Sequence, residues 1–416
     1  MNPRRLPSLP AVLAVMAAVL LAAAATGGAP PSVEEQARAL HRRILTVDTH
    51  CDTAFNLLRP GWKIDERHDP AKRESGKIDL PRMREGGLDA EFFAAFVGQG
   101  PRTPEGYAKA KDLAVRIIDA IHKMTVDDAA TIGLGLSPAD AYRLKKAGKL
   151  TAFLGMENGY PIGRDLGLVK FFYDKGVRYI TLCHTSDNDI CDSSTDRDHP
   201  EDNGLSEFGR KVVAECNRLG MMVDISHVSD KSFSDVLALT KAPVIASHSS
   251  ARAVCDNPRN LSDDMLRALK KNGGVIQICF LAAYVKKPAP YPERDAALKE
   301  LEAKYGNFRA VRDPAVRDKA MAEYTAIDAK FPQDRPTVKD LVDHIDHVRK
   351  TIGIDYVGIG TDFDGGGGIV GCDDVSGMFH VTAELLRRGY TAKEIEKVWG
   401  GNFMRVFRRV QELRAK

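Results

Sequence analysis

Residues 221–249 read MMVDISHVSDKSFSDVLALTKAPVIASHS. Two apolar runs of strand length, Met221–Val228 and Ala242–Ser249, flank an amphipathic stretch, Lys231–Leu239. That order predicts a strand, a helix and a second strand, the unit from which parallel sheets are built. Each run delivers a histidine near its C-terminal end, His227 in DISH and His248 in IASHSS. Neighbouring strands lie about 4.8 Å apart, so two such imidazoles stand close in space. A lone buried histidine is more often structural, which is why the pairing matters more than either residue.

The same alternation extends in both directions. Upstream, strand-length runs occupy Ile44–Asp52, Leu88–Val97, Leu150–Asn158 and Val177–His184; downstream they occupy Gly273–Phe280 and Asp355–Asp364. Helical stretches lie between them at Thr103–Lys123, Gly167–Lys175, Glu207–Leu219, Ser262–Asn272 and Thr337–Ile352, with Ser262 and Gly220 as start and stop signals. Eight strands separated by helices, with no Gly-rich nucleotide-binding turn after the first, predict an α/β fold: a closed TIM-like (β/α)8 barrel rather than an open doubly wound sheet. One stretch breaks the rhythm. Residues 286–336 are charged and helical in pattern and form an insertion between strands seven and eight, either a surface excursion or a lid. Gly365–Gly368 reads as a loop after strand eight without the Lys and Ser/Thr of a phosphate cradle.

In a barrel of this kind the C-terminal ends of the strands form the active face. His50 and Asp52 end the first strand, Glu157 the third, His184 the fourth, His227 the fifth, His248 the sixth and Asp362 the eighth. His50 and Asp52 are two apart, so an extended strand points both the same way and Cys51 away. Glu157 follows the apolar run FLGM and must be paired when buried, by a metal or by an Arg or Lys. Three His or carboxylate ligands make a common catalytic zinc set, and five with Glu157 bridging suit two ions about 3.5–4 Å apart. Nitrogen and oxygen ligands without thiolate fit zinc best, with manganese or cobalt as substitutes. His344 and His347 in HIDH read as exposed or structural, and His41, His68, His122, His199 and His380 show no partner pattern.

Composition bounds the rest. Of 416 residues 44% are hydrophobic and 28% charged, which sets aside disordered and fibrous classes. Arg4 and Arg5 precede an apolar stretch from Ala11 to Ala25, about 15 residues against the roughly 20 that span a bilayer. Residues 1–28 therefore read as a cleaved signal, leaving residues 29–416 as one barrel domain, secreted or periplasmic, with no stable membrane anchor. The formal charge of +3 falls once Arg4 and Arg5 are removed, which argues against a nucleic-acid partner. Seven cysteines show no CxxC pair; the odd number leaves at least one thiol free or paired between chains, and a Cys255–Cys279 bridge stays open.

The stretches VDTHCDTAFNLL (47–58), IDLPRMREGGLDAEFFAAFV (78–97), AFLGMENGYPIG (152–163), GVRYITLCHTSDN (176–188), LSEFGRKVVAECNRLGMMVDISHVSD (205–230), APVIASHSSARAVCDNPRNLSDDML (242–266), VGIGTDFDG (357–365) and GGNFMRVF (400–407) resemble the membrane (renal) dipeptidase family, peptidase family M19. The resemblance implies a barrel of the metal-dependent hydrolase type with two Zn2+ per chain, one held by His50 and Asp52, the other by His227 and His248, and Glu157 bridging. It makes His184 a substrate and oxyanion contact, Arg259 in NPRN a clamp for the substrate carboxylate, Asp362 the proton carrier and Tyr284 a substrate contact. The bland reading of Arg259 is a loop salt bridge to Asp263 or Asp264. The 286–336 insertion departs from the compact animal members.

What the resemblance implies in function is an exported zinc dipeptidase that hydrolyses dipeptides with a hydroxide bridging the two metals, whose coordination lowers the pKa of water toward about 7. A homodimer accompanies the family. Two alternatives stand beside it: a related amidohydrolase acting on a lactam, cyclic amide or N-acyl amino acid, and a non-catalytic exported binding protein.

Overall fold

The computed structural model describes residues 30–72, 75–196, 201–306 and 313–415. The expected signal segment and His199 lie outside the described residues. Nine strands form one sheet: Val47–Cys51 (β1), Ala90–Phe96 (β2), Ile132–Leu134 (β3), Leu150–Glu157 (β4), Val177–Thr181 (β5), Met222–Asp224 (β6), Ile245–Ser249 (β7), Val275–Ile278 (β8) and Val357–Ile359 (β9). Its order is β1-β2-β4-β5-β6-β7-β8-β9, with each adjacent pair parallel. The ends join through the Asp362 N–H donating to the His50 carbonyl (3.0 Å) and the Asp52 N–H donating to the Phe363 carbonyl (2.8 Å). The eight path strands fall inside the eight predicted runs, and the architecture is the expected TIM-like barrel.

β3 was not foreseen. It pairs only with the start of β4, from Ile132 opposite Leu150 to Leu134 opposite Ala152, while β5 pairs with Leu154 to Glu157. Three residues are too short for alternation to register. A second correction concerns strand ends. β5, β6 and β9 stop three residues short of His184, His227 and Asp362, so these three sit on the following loops and not on the strands. Positive φ angles at His227 (71°) and Asp362 (59°) turn the chain out of the extended region. Beyond β5 the Leu182 carbonyl accepts from the Gly159 N–H and the Asn188 side chain, which diverts it from further strand pairing.

Inside the sheet, Val47, Ala90, Phe92, Phe153, Tyr179, Met222, Ile245 and Val275 make one buried cluster with Phe403, Met404 and Phe407. Most of these strand residues are the first or second of their strand. The C-terminal helix Asn402–Glu412 therefore plugs the N-terminal end of the barrel and leaves the other end open for a site.

Helix boundaries follow the cap signals. The helix Glu207–Leu219 ends on Gly220 at φ 74°, and the helix Asp263–Asn272 begins where the Ser262 hydroxyl accepts the Met265 N–H. The insertion is helical as expected: Pro292–Tyr305 and Pro314–Lys330 pair through Lys304 with Glu323 (2.6 Å) and Arg294 with Asp328 (2.5 Å). His344 is structural and not exposed; its Nε2 is 2.8 Å from the Val285 carbonyl and its Nδ1 accepts the Ala251 N–H. All seven cysteines are buried free thiols, so Cys255 and Cys279 are not bridged. Among the described residues no helix is long and apolar enough to cross a membrane.

Candidate active site

The five expected metal ligands meet at the open end of the barrel around Glu157, the last residue of β4. Glu157 Oε2 is 3.4 Å from His50 Nε2. Its Oε1 is 3.2 Å from His227 Nε2, 3.4 Å from His248 Nε2 and 3.7 Å from His184 Nε2. One carboxylate oxygen thus faces the His50 side and the other faces three imidazoles. Among the described residues its ion-pair partners at this range are all imidazoles, and none is an Arg or Lys. Asp52 Oδ2 and Asp362 Oδ1 lie 3.7 and 4.0 Å from His50 Nε2. Cys51 belongs to the cluster outside the strands, away from this site, as alternation required.

Several observations fit a divalent metal to these residues. His227 Nε2 and His248 Nε2 are 2.9 Å apart. Among the described residues His50 Nε2 and Asp52 Oδ1 are buried without a hydrogen-bond partner, and each such atom costs about 1–3 kcal/mol unless something satisfies it. The ligating atoms of His50, Asp52 and Glu157 lie within 4.8 Å of one another, as do those of Glu157, His184 and His227 and those of His50, His248 and Asp362. A Cβ on Gly365 would come within 2.2 Å of both Asp52 Oδ2 and Asp362 Oδ1, so glycine there leaves the two carboxylates their room. Imidazole and carboxylate donors without thiolate suit zinc, cobalt or manganese.

Burial and mutual charge shift every ionisable group of the cluster. Burial, reinforced by the charge of Glu157, pushes the Asp52 carboxyl up to about 6. Burial and then Asp52 push Asp362 well above the carboxylate range. Burial would also raise Glu157, but His50 and His184 hold it well below. His248 falls to about 3 through burial and then His50, and His227 falls well below its ordinary value through burial and Arg259. Neutral rings have lone pairs to give. His184 is lowered by burial against the pull of Glu157, whereas at His50 the opposing burial is outweighed by Tyr179 and Glu157, which raise it.

Above this cluster opens a cavity of about 520 Å³ whose walls include Phe55, Phe96, His184, Leu281, Tyr284 and Asp364. Arg259 is buried behind His248, its Nη2 donating to the His248 carbonyl at 3.1 Å and its guanidinium 5.1 Å from the Tyr284 ring centre. Among the described residues its Nε has no partner. Asp263 pairs with His347 and Asp264 with Arg267, so the surface salt bridge weighed for Arg259 is not formed. Phe55, Phe96, Leu281 and Asp364 are wall residues beyond those expected from the sequence. Asp364 stands two residues from Asp362 in TDFDG and could have been read from that spacing; Phe96, ending an apolar strand, carries no signal distinct from a core residue. A second cleft of similar volume, lined in part by Arg38, Arg84 and Lys145, lies at the N-terminal ends of β2 and β4 and contains none of the candidate ligands.

The profile of the membrane dipeptidase family, peptidase family M19, matches residues 34–416. The chain is 31% identical over 402 residues to dipeptidase ataJ of Aspergillus terreus, covering 91% of this chain and 87% of that one. It is 34% identical over 393 residues to dipeptidase 3 of Mus musculus, covering 93% and 68%. Among solved structures, the probable dipeptidase PvdM from Pseudomonas aeruginosa superposes with a TM-score of 0.79 at 33% identity, covering 92% of this chain and 99% of that one.

Proposed function

Because the chain belongs to the membrane dipeptidase family, peptidase family M19, we propose that it is a binuclear zinc dipeptidase that cleaves dipeptides into free amino acids. The observation that carries this reading is Glu157, with one oxygen toward His50 and the other toward His227 and His248. His50 and Asp52 would hold one ion, His227 and His248 the other, and Glu157 both. When bound, such a pair supplies an acidified water and a Lewis acid for the scissile carbonyl.

The chain's own residues do the remainder. Arg259 offers a planar fork to the C-terminal carboxylate, with Tyr284 beside it. His184 stands at the cavity wall 3.7 Å from Glu157 and donates to the carbonyl oxygen as negative charge develops there, a contact worth roughly 2.7–4 kcal/mol for a well-placed donor. Asp362 takes a proton from the attacking water and returns it to the departing amine nitrogen as the C–N bond breaks, so the products are a free carboxylate and a free amine. In this proposal residues 1–28 direct export and are removed, which N-terminal sequencing of the mature protein checks.

The test is a panel of dipeptides with and without a free C-terminal carboxylate, run on protein of known metal content. Turnover confined to the free acids, at two ions per chain, is the expected result; turnover confined to lactams or blocked amides would contradict it.

A further inference from the structure

A ligating imidazole uses one nitrogen for the ion, and the partner of its other nitrogen decides which one is available. At His50 that partner comes from across the barrel. Tyr179 on β5 is fully buried, with its hydroxyl 2.8 Å from His50 Nδ1 and 3.2 Å from the Thr49 carbonyl oxygen. A phenol has a single proton to give, and a carbonyl can only accept. The Tyr179 proton therefore goes to Thr49, and the contact with His50 is made by an Nδ1–H donating to the phenol oxygen.

From this geometry we infer that Tyr179 is a positioning residue: it fixes His50 with the proton on Nδ1 and thereby presents the Nε2 lone pair to a metal ion. The inference rests on the metal-centre reading above. His50 Nε2 is the ring atom that faces Glu157 Oε2 at 3.4 Å and Asp52 Oδ2 at 3.7 Å. The fold makes room for the phenol at Gly155, which stands opposite Tyr179 in the β4–β5 register; a Cβ there would come within 2.1 Å of the tyrosine ring. Phe92 packs on the same ring, 5.4 Å between centres.

The other two histidine ligands are held differently. His248 Nδ1 is 2.8 Å from the Ser247 hydroxyl, whose proton goes to Asp224 Oδ2 at 2.6 Å, while Asp224 also accepts from Thr181. Among the described residues His227 Nδ1 has no partner. The orientation of the His50 subsite thus depends on one phenol oxygen, and that of the other subsite does not.

Tyr179→Phe keeps the ring and deletes the oxygen. Metal-stripped wild type and variant are titrated with zinc against a competing chelator. The variant is expected to retain one ion at wild-type affinity and to bind the other about 10–100-fold more weakly, the usual effect of losing such a support. In histidine-labelled 15N spectra of the zinc-loaded wild type, His50 should carry its proton on Nδ1 and bind through Nε2, a readout that needs no variant. Wild-type affinity for both ions in Tyr179→Phe, or a His50 bound through Nδ1, would overturn the inference while leaving the metal centre standing. A wild type that binds no divalent ion would instead overturn the metal-centre reading and this inference with it.

Discussion

Asp362 stands 4.0 Å from His50 Nε2 while Arg259 donates to the His248 carbonyl, and their substitutions should separate chemistry from binding. Asp362→Asn removes a proton carrier while keeping its shape, so kcat should fall by about 10²–10⁴-fold with both ions retained, checked by steady-state kinetics beside metal analysis. Arg259→Met removes a charge-assisted contact of about 1.5–3 kcal/mol, so KM for a free dipeptide should rise roughly ten- to a hundredfold. The preference for the free acid over its amide should shrink by the same factor. If amide and acid lose equally, Arg259 does not hold the carboxylate. Single residues were legible here to the extent that their chemistry is rare at a strand end. His227 and His248 announced themselves by following apolar runs, whereas Tyr179 is a core aromatic by every sequence criterion, and only the positions of Gly155 and His50 reveal its hydroxyl's use.

Elements meet through polar contacts as well as packing. His41, on the helix Val33–Arg43, is buried with Nδ1 3.1 Å from the Gly86 carbonyl and Nε2 2.6 Å from the Thr382 hydroxyl, and its ring lies edge-on to Trp399. Burial lowers its pKa from 6.5 to about 4. The folded chain then binds this proton less readily than the unfolded one, so the contribution is complete above pH 6.5 and is lost as pH falls toward 4. The loss amounts to about 3 kcal/mol over that window. Urea unfolding at about pH 7.5 and about pH 4.5 should show a smaller drop in His41→Asn than in wild type. An equal drop in both would assign the acid sensitivity elsewhere. The helical insertion makes a contrasting case, because its two helices pair mainly with each other. Replacing residues 287–335 by a short Gly/Ser linker should leave metal stoichiometry unchanged and the melting temperature within a few degrees, as calorimetry would show; loss of both ions would make the insertion part of the site. Helix limits were readable because caps are local chemistry. The ends of β5, β6 and β9 were not: His and Asp tolerate the positive φ that His227 and Asp362 adopt, but that tolerance does not fix where pairing stops within an apolar run.

For the whole molecule, the barrel brings His50 and Asp362, more than three hundred residues apart in sequence, to within hydrogen-bonded reach of one seam. Strand count and the placement of chemistry at strand ends were enough to foresee that convergence. What the pattern could not supply was the distance between groups, and hence the crowding of carboxyls and imidazoles that a cation relieves. Each ion bound to the folded state alone should stabilise it by about 2.7 kcal/mol at a hundred times its dissociation constant, raising the melting temperature by several degrees. The most direct test of the central claim is to titrate metal-stripped protein with zinc while following hydrolysis of a simple dipeptide. Activity should rise to a break at two ions per chain and vanish on chelation. Full dipeptide hydrolysis by the stripped protein, or none with two ions bound, would contradict the account.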